Sequence, residues 1–299
     1  MGRRLIWTLN QSAGIRGSAG EPIPVPWKAF DDLDIRLRQG QLVLIAAGPG
    51  IGKSAMTLTM VLKALVPTLM YSADSDAFTQ LSRAIANLGD MKVSTAAEMI
   101  LQERVTDEIK DSLRDIPLLI DYDSSPTPHD IEEILMAYYE LCNEFPKLVV
   151  VDNITNVVTD ASDSGDPFSG LEALMDYLHD MARTTAACVI GLHHVKGEHS
   201  SGTKPIPIDG VKGQIHRVPE MVLTMFKKPL QDGRWILCVS PVKNRGGKAD
   251  PTGETYAELE FIGETMSVID VVYHEPSRVD VHWDPEQDER RMHEEVNWT

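Results

Sequence analysis

The chain has 299 residues, 42% hydrophobic and 24% charged, with 21 glycines and 18 prolines; such proportions suit a globular protein with one sizeable core and exclude collagen-like, mucin-like and wholly disordered classes. No stretch approaches the roughly 18 uninterrupted apolar residues of a bilayer span, and the first ten residues turn polar too soon for a signal peptide. A cytosolic location with no membrane partner is the expectation. The net charge of −17 disfavours adhesion to nucleic acid over the whole surface and confines any polynucleotide contact to a local basic strip or a pore.

Residues 1–27 carry Gly, Ser and Pro with little periodicity and read as an N-terminal arm. From Gln41 onward, short apolar runs alternate with helix-period segments, the arrangement of a mainly parallel sheet covered by helices on both faces, so the fold class is α/β. Leu42–Ala47, Thr68–Ser72, Ile116–Ile120, Leu148–Val151 and Cys188–Leu192 are predicted central strands, because polar residues do not interleave them. A helix is predicted from about Pro128 to Phe145, with Thr127 as N-cap, Pro128 at the first helical position and Asp130 three residues after the cap. A second carries Leu171, Leu174, Met175, Leu178 and Met181 on one face. After Val218 the rhythm becomes Met221–Phe226, Trp235–Val239 and Tyr256–Phe261, separated by the turn-rich segments Pro229–Gly233 and Asn244–Gly253; this predicts antiparallel strands extending the sheet. The main domain is placed at 28–273 and an acidic tail at 274–299. Cys142, Cys188 and Cys238 lie far apart in apolar segments with no CxxC pair, which points to buried reduced thiols.

The first strand runs into Ala47-Gly48-Pro49-Gly50-Ile51-Gly52-Lys53-Ser54, with helical Ala55 onward directly behind it. This is a phosphate-binding P-loop in its strand–loop–helix context. Backbone N–H groups from Gly48 to Ala55 would face the phosphates, Lys53 would neutralise their oxygens, and Ser54 would give a hydroxyl to Mg²⁺. The strict pattern has Gly where Ala47 stands. Leu148-Val149-Val150-Val151-Asp152 is an apolar strand ending in an acid, which makes Asp152 the second metal-shell candidate. Asp74, just past the strand Thr68–Ser72, is placed to orient and deprotonate water, with Asp76 as its rival.

At this point the sequence resembles the RecA-like core of hexameric replicative DNA helicases, the DnaB-like and plasmid RepA-like group. Phe30-Asp31-Asp32-Leu33-Asp34 and Gly40-Gln41-Leu42 are similar to the family's approach to its P-loop, and Tyr71-Ser72-Ala73-Asp74 to its strand ending in a catalytic acid, here one methylene shorter than Glu. Val189-Ile190-Gly191-Leu192-His193-His194 stands where the family has a γ-phosphate sensor, His194 being the better candidate and His193 the alternative. Ser240-Pro241-Val242-Lys243-Asn244-Arg245 resembles the Lys-x-Arg element that reaches a neighbouring subunit's ATP, with Arg245 as the finger and Lys243 as its partner. The likeness spans roughly Trp27 to Ile269 and lacks the family's N-terminal primase or collar region, which suggests a bare motor of phage or plasmid type.

The resemblance implies a RecA-like ATPase using ATP and Mg²⁺, a homo-oligomer that is most simply a hexameric ring, and an ATP-driven helicase or translocase on single-stranded DNA in replication. A RecA/RadA-type recombinase filament and a KaiC-like regulatory ATPase without unwinding activity are the alternatives. Loops after the fourth and fifth strands line the channel of such rings. The first, Thr155–Asp166, holds Asp160, Asp163 and Asp166 and no base; the second, Lys196–Gly213, carries Lys196, Lys204 and Lys212 in a Gly/Ser/Pro-rich segment that reads as a flexible DNA-binding loop. The tail, with Trp283 and Trp298 among acids, is a possible docking peptide for a replication partner or a solvated end.

Overall fold

A computed structural model describes residues 20–159, 170–230 and 234–272. Part of the first channel-loop candidate and the acidic tail lie outside the described residues, as does most of the N-terminal arm. Nine strands form one sheet in the order β3-β2-β4-β5-β1-β6-β7-β8-β9. They are β1 (Leu42–Ala47), β2 (Thr68–Ser72), β3 (Leu118–Asp121), β4 (Leu148–Asp152), β5 (Cys188–His194), β6 (Met221–Pro229), β7 (Trp235–Asn244), β8 (Ala257–Ile262) and β9 (Ser267–Asp270). The pairs from β3 through β6 are parallel and those from β6 to β9 antiparallel.

The period of two along each strand decides which layer each side chain joins. Leu42, Leu44 and Ala46 of β1 enter one core layer together with Val149, Val151 and Val189. Val43, Ile45 and Ala47 enter the other with Leu148, Val150, Cys188 and Ile190. Both faces are covered, so the strands are apolar at consecutive positions, as predicted. The first layer is closed by α5 (Pro128–Cys142), through Ile131, Leu135 and Tyr138, and by α6 (Leu171–Thr185), through the predicted stripe of Leu171, Leu174, Met175, Leu178 and Met181. Thr127 and Asp130 form a reciprocal capping box at the start of α5. The second layer is closed by α1 (Lys53–Ala64) and by the entry segment, where Ile23, Trp27 and Phe30 are buried. Three shorter helices, α2 (Ala77–Leu88), α3 (Val93–Leu101) and α4 (Asp107–Arg114), complete the connection from β2 to β3.

Several details depart from the sequence reading, and Ile23 and Trp27, read as part of an arm, pack in the core. β6 is antiparallel to β7 but parallel to β1, because the chain crosses back through residues 195–220 before re-entering the sheet on the far side of β1. A ninth strand closes the edge, and its end meets the start of the domain: Trp27 Nε1 donates to the Val268 carbonyl at 2.9 Å, and the Asp270 carboxylate accepts from the backbone of Lys28 and Ala29. Cys188 and Cys238 are buried, but Cys142 is exposed, since the packed face of α5 ends at Tyr138. No helix among the described residues is long and apolar enough to cross a membrane.

Candidate nucleotide site and the far rim of the sheet

Strand register brings the carboxyl ends of β1, β2, β4 and β5 together: Ala47 pairs with His194, and Ser72 with Asp152. The loop leaving β1 turns through Gly50 at φ 70° and Gly52 at φ 121°, conformations that an L side chain resists. Ala47 needs no such freedom. It is the last extended residue of β1 and packs its methyl into the core, which accounts for Ala where the strict motif has Gly. Gly48 is small for another reason, since the Ser200 carbonyl oxygen would lie 2.2 Å from a Cβ placed there.

Lys53 opens α1 and is buried, its Nζ donating to the carbonyls of Ala47 at 3.1 Å and Gly48 at 3.4 Å. Burial lowers its pKa, against the pull of Asp152 and Asp74, which favour the charged form. Asp152 is 2% exposed. Burial raises its pKa, while the facing Ser54 hydroxyl and the Lys53 charge act in the opposite direction. A hydroxyl beside a buried carboxylate is a hard-oxygen donor set, which suits Mg²⁺ sharing its remaining positions with water and phosphate oxygens.

Asp74 is exposed at the rim of this group and accepts from Asn156 Nδ2 at 3.1 Å and from Asn153 Nδ2 at 3.4 Å. The same Asn153 amide lies 2.8 Å from His194 Nε2. An amide nitrogen donates, so His194 Nε2 accepts and its proton sits on Nδ1, a buried atom without a partner among the described residues. Asp76 is engaged elsewhere as the N-cap of α2, accepting from the Thr79 backbone at 2.7 Å. His193 turns to the other side, donating from Nε2 to the Lys212 carbonyl at 2.9 Å.

His193 is wholly enclosed, and desolvation brings its pKa down to about 4. Above the unfolded value of about 6.5 neither state carries the proton; between about 6.5 and 4 only the unfolded chain binds it, so stability falls as pH drops through that window. The expected loss is about 3 kcal/mol. Urea denaturation at pH 7 and pH 4.5 is expected to show a smaller pH dependence in His193→Gln than in the wild type; identical dependences would refute the assignment.

Sequence reasoning missed Asn153 and Lys227, and read the segment after β5 as a flexible DNA-binding loop without its packing on the phosphate loop. Asn153 carries no motif signal beyond following Asp152. Lys227 on β6 donates from Nζ to the Gly50 carbonyl at 3.2 Å and lies 4.4 Å from the centroid of the Phe261 ring on β8, so the antiparallel strands brace the outer side of the loop. The segment after β5 is folded against the same loop. It is built from the 3-10 turns Gly197–His199, Ile208–Gly210 and Lys212–Arg217, Gly202 at φ 58° packs on Ile51, and the Lys227 amide donates to the Gly202 carbonyl at 2.6 Å. Lys196 and Lys204 on this segment are exposed and Lys212 is half-buried.

Lys243 and Arg245 are not at this site. Along β6, Met225 pairs with Ala47 at the phosphate loop, whereas Met221 pairs with Asn244, so the two ends are separated by about 13 Å of strand. Lys243 Nζ donates to the carbonyls of His216 and Arg217 at 2.9 and 2.6 Å, and its pKa is lowered to about 8 by burial and by the Arg245 charge. The Arg245 side chain is 54% exposed on this far rim.

The fold is thus a RecA-like nucleotide-binding domain with its phosphate loop and acid-ended strand at one edge. The sequence matches the DnaB-like helicase C-terminal domain family over residues 23–237, and the chain belongs to that family. It is 54% identical over 265 residues to the gene 65 protein of Mycobacterium phage L5, covering 89% of this chain and 99% of that protein. It is 53% identical over 229 residues to the gene 65 protein of Mycobacterium phage D29, covering 77% and 99%. Both relatives are phage proteins, in line with the phage or plasmid type read from the sequence. Among solved structures, the ATPase domain of G40P superposes with a TM-score of 0.71 at 15% identity, over 88% of this chain and 97% of that one. A DnaB-like replicative helicase studied with primase superposes at 0.70 and 16%, over 88% and 67%.

Proposed function

We propose that the chain is an ATP-driven ring helicase that translocates on single-stranded DNA during replication. The observation that carries this reading is the separation of two half-sites. Lys53, Ser54, Asp152, Asp74 and His194 gather at one edge, and Lys243 with Arg245 stands on the opposite rim. A head-to-tail ring brings one rim against the next subunit's edge and repeats that contact around a closed circle.

In this reading Gly48–Ala55 would wrap the triphosphate, Lys53 would exchange its two carbonyl partners for phosphate oxygens, and Ser54 with Asp152 would hold Mg²⁺, whose charge would offset that of the phosphate oxygens. Asp74, oriented by Asn153 and Asn156, positions the attacking water and takes its proton. His194 senses the γ-phosphate through Nδ1, and its neighbour His193 passes the change to the Lys212 segment through one hydrogen bond. Lys196, Lys204 and Lys212 then meet the DNA backbone without regard to sequence, in a pore that keeps the acidic exterior away from it.

Single-stranded DNA is expected to stimulate ATP turnover, and its binding to weaken steeply with salt. Each phosphate contact removed by replacing one of the three lysines with alanine lowers the slope of log K against log salt by about 0.7. Turnover indifferent to DNA would favour a regulatory ATPase, and an open filament in electron micrographs would favour a recombinase. Tight salt-insensitive binding to one duplex sequence would overturn the backbone contacts.

A further inference from the structure

We infer that Glu220 is a positioning residue for Arg245, holding the guanidinium on the far rim in the orientation in which it is delivered to a neighbouring subunit. The inference rests on the proposed action of Arg245 across the subunit boundary and names the group that prepares it.

Glu220 precedes β6 and its side chain is 13% exposed. Its carboxylate is shared among three elements. Oε2 accepts from the Leu42 amide at the start of β1 at 3.0 Å, and Oε1 lies 2.9 Å from His179 Nε2 on α6 and 3.6 Å from Arg245 Nη1. Its backbone joins the same strands, the Glu220 amide donating to the Leu42 carbonyl and the Glu220 carbonyl accepting from the Arg245 amide, both at 3.0 Å. A carboxylate so enclosed requires donors on both oxygens, and this one has them. Because a carboxylate only accepts, His179 donates from Nε2, which fixes the side on which the imidazole carries its proton.

Carrying the β1 amide does not require Arg245. The guanidinium nevertheless lies against Oε1, while its Nη2 donates to the Arg217 carbonyl at 3.5 Å. Two nitrogens are thereby turned toward the chain's own acceptors on a side chain that stays half exposed. The turn beneath is equally fixed. Asn244 Nδ2 donates to the Asp34 carbonyl at 3.1 Å, and Gly247 passes so near Asp34 that a Cβ would sit 2.8 Å from the Asp34 Cβ. An arginine biased in this way toward one orientation has less rotamer freedom to lose when the neighbour's phosphate arrives, which favours a group that acts only in the transition state.

The test mixes chains. Glu220→Gln alone is expected to lose about 10- to 100-fold in turnover, the loss falling on kcat and not on KM. Added Lys53→Ala chains, whose rim is intact, are expected to restore turnover; added Arg245→Ala chains, whose rim is also defective, are not. If the glutamine variant fails to fold, His179→Leu keeps the carboxylate and is expected to give the same pattern with a smaller loss. Recovery with Arg245→Ala chains would place the defect in the variant's own phosphate site and overturn the inference. So would failure of Lys53→Ala chains to rescue either variant while they rescue Arg245→Ala. Failure to rescue Arg245→Ala itself would instead remove the shared-site reading.

Discussion

A Lys53→Ala chain is expected to lose at least about 10³-fold in ATP turnover, because one buried ammonium serves two electrostatic tasks. Its Nζ is buried and bound to the carbonyls of Ala47 and Gly48, the second at 3.4 Å, so these are contacts that a phosphate oxygen can displace. The same charge faces Asp152 and Asp74. Without it an incoming triphosphate meets two carboxylates, one of them 2% exposed, with their nearest buried countercharge removed. Lys53→Arg is expected to fail as well, since a planar fork does not occupy the volume of a compact ammonium inside a loop whose Ile51 packs on Gly202. Turnover, binding of a fluorescent magnesium–nucleotide analogue and thermal melting together check the result. A folded Lys53→Ala chain that retains turnover within about tenfold of the wild type would contradict the electrostatic role.

The sequence legibly carries those parts of the domain where one residue pattern has one structural outcome. Strands buried on both faces appear as unbroken apolar runs, the stripe on α6 has helical spacing, and the phosphate loop has fixed chemistry between a strand and a helix. What escapes depends on neighbours distant along the chain. The direction of β6 is set by the crossover through residues 195–220 and not by its own residues. β7 was expected to stop at Val239, ahead of Pro241, yet it continues to Asn244, because a register shift opposite Val222 and Leu223 lets the strand take in the proline at an irregularity in the ladder. Asn153, Glu220 and Lys227 show the same limit in the site. Each is an ordinary polar residue beside an apolar strand, and its importance comes only from the groups the fold sets against it: Asp74 and His194, Arg245 and Leu42, and the Gly50 carbonyl. The sequence puts Asp74 ahead of its rival Asp76, and only the fold shows what Asp76 does instead, which is to cap α2.

Arg245→Ala is expected to lower turnover by about 10³- to 10⁵-fold, the scale on which an arginine supplied by a neighbour stabilises charge on a transferred phosphoryl group. The loss cannot come from this chain's own phosphate site, because Arg245 stands beside Glu220, about 13 Å of strand away from the end of β1, and makes its contacts with the Arg217 carbonyl and the Glu220 carboxylate. In the proposed ring its target would be presented by a second copy, and the experiment that separates this from a folding defect is again a mixture. An Arg245→Ala chain keeps a sound phosphate loop and a blunt rim, whereas a Lys53→Ala chain keeps a sound rim and an empty loop. In a head-to-tail ring assembled at random from equal amounts, roughly one junction in four joins the two sound halves. Turnover is expected to reappear on mixing, to peak near equal amounts and to vanish at either extreme. If no mixing ratio restores turnover while both variants remain folded and assembled, the rim arginine is not a shared catalytic group.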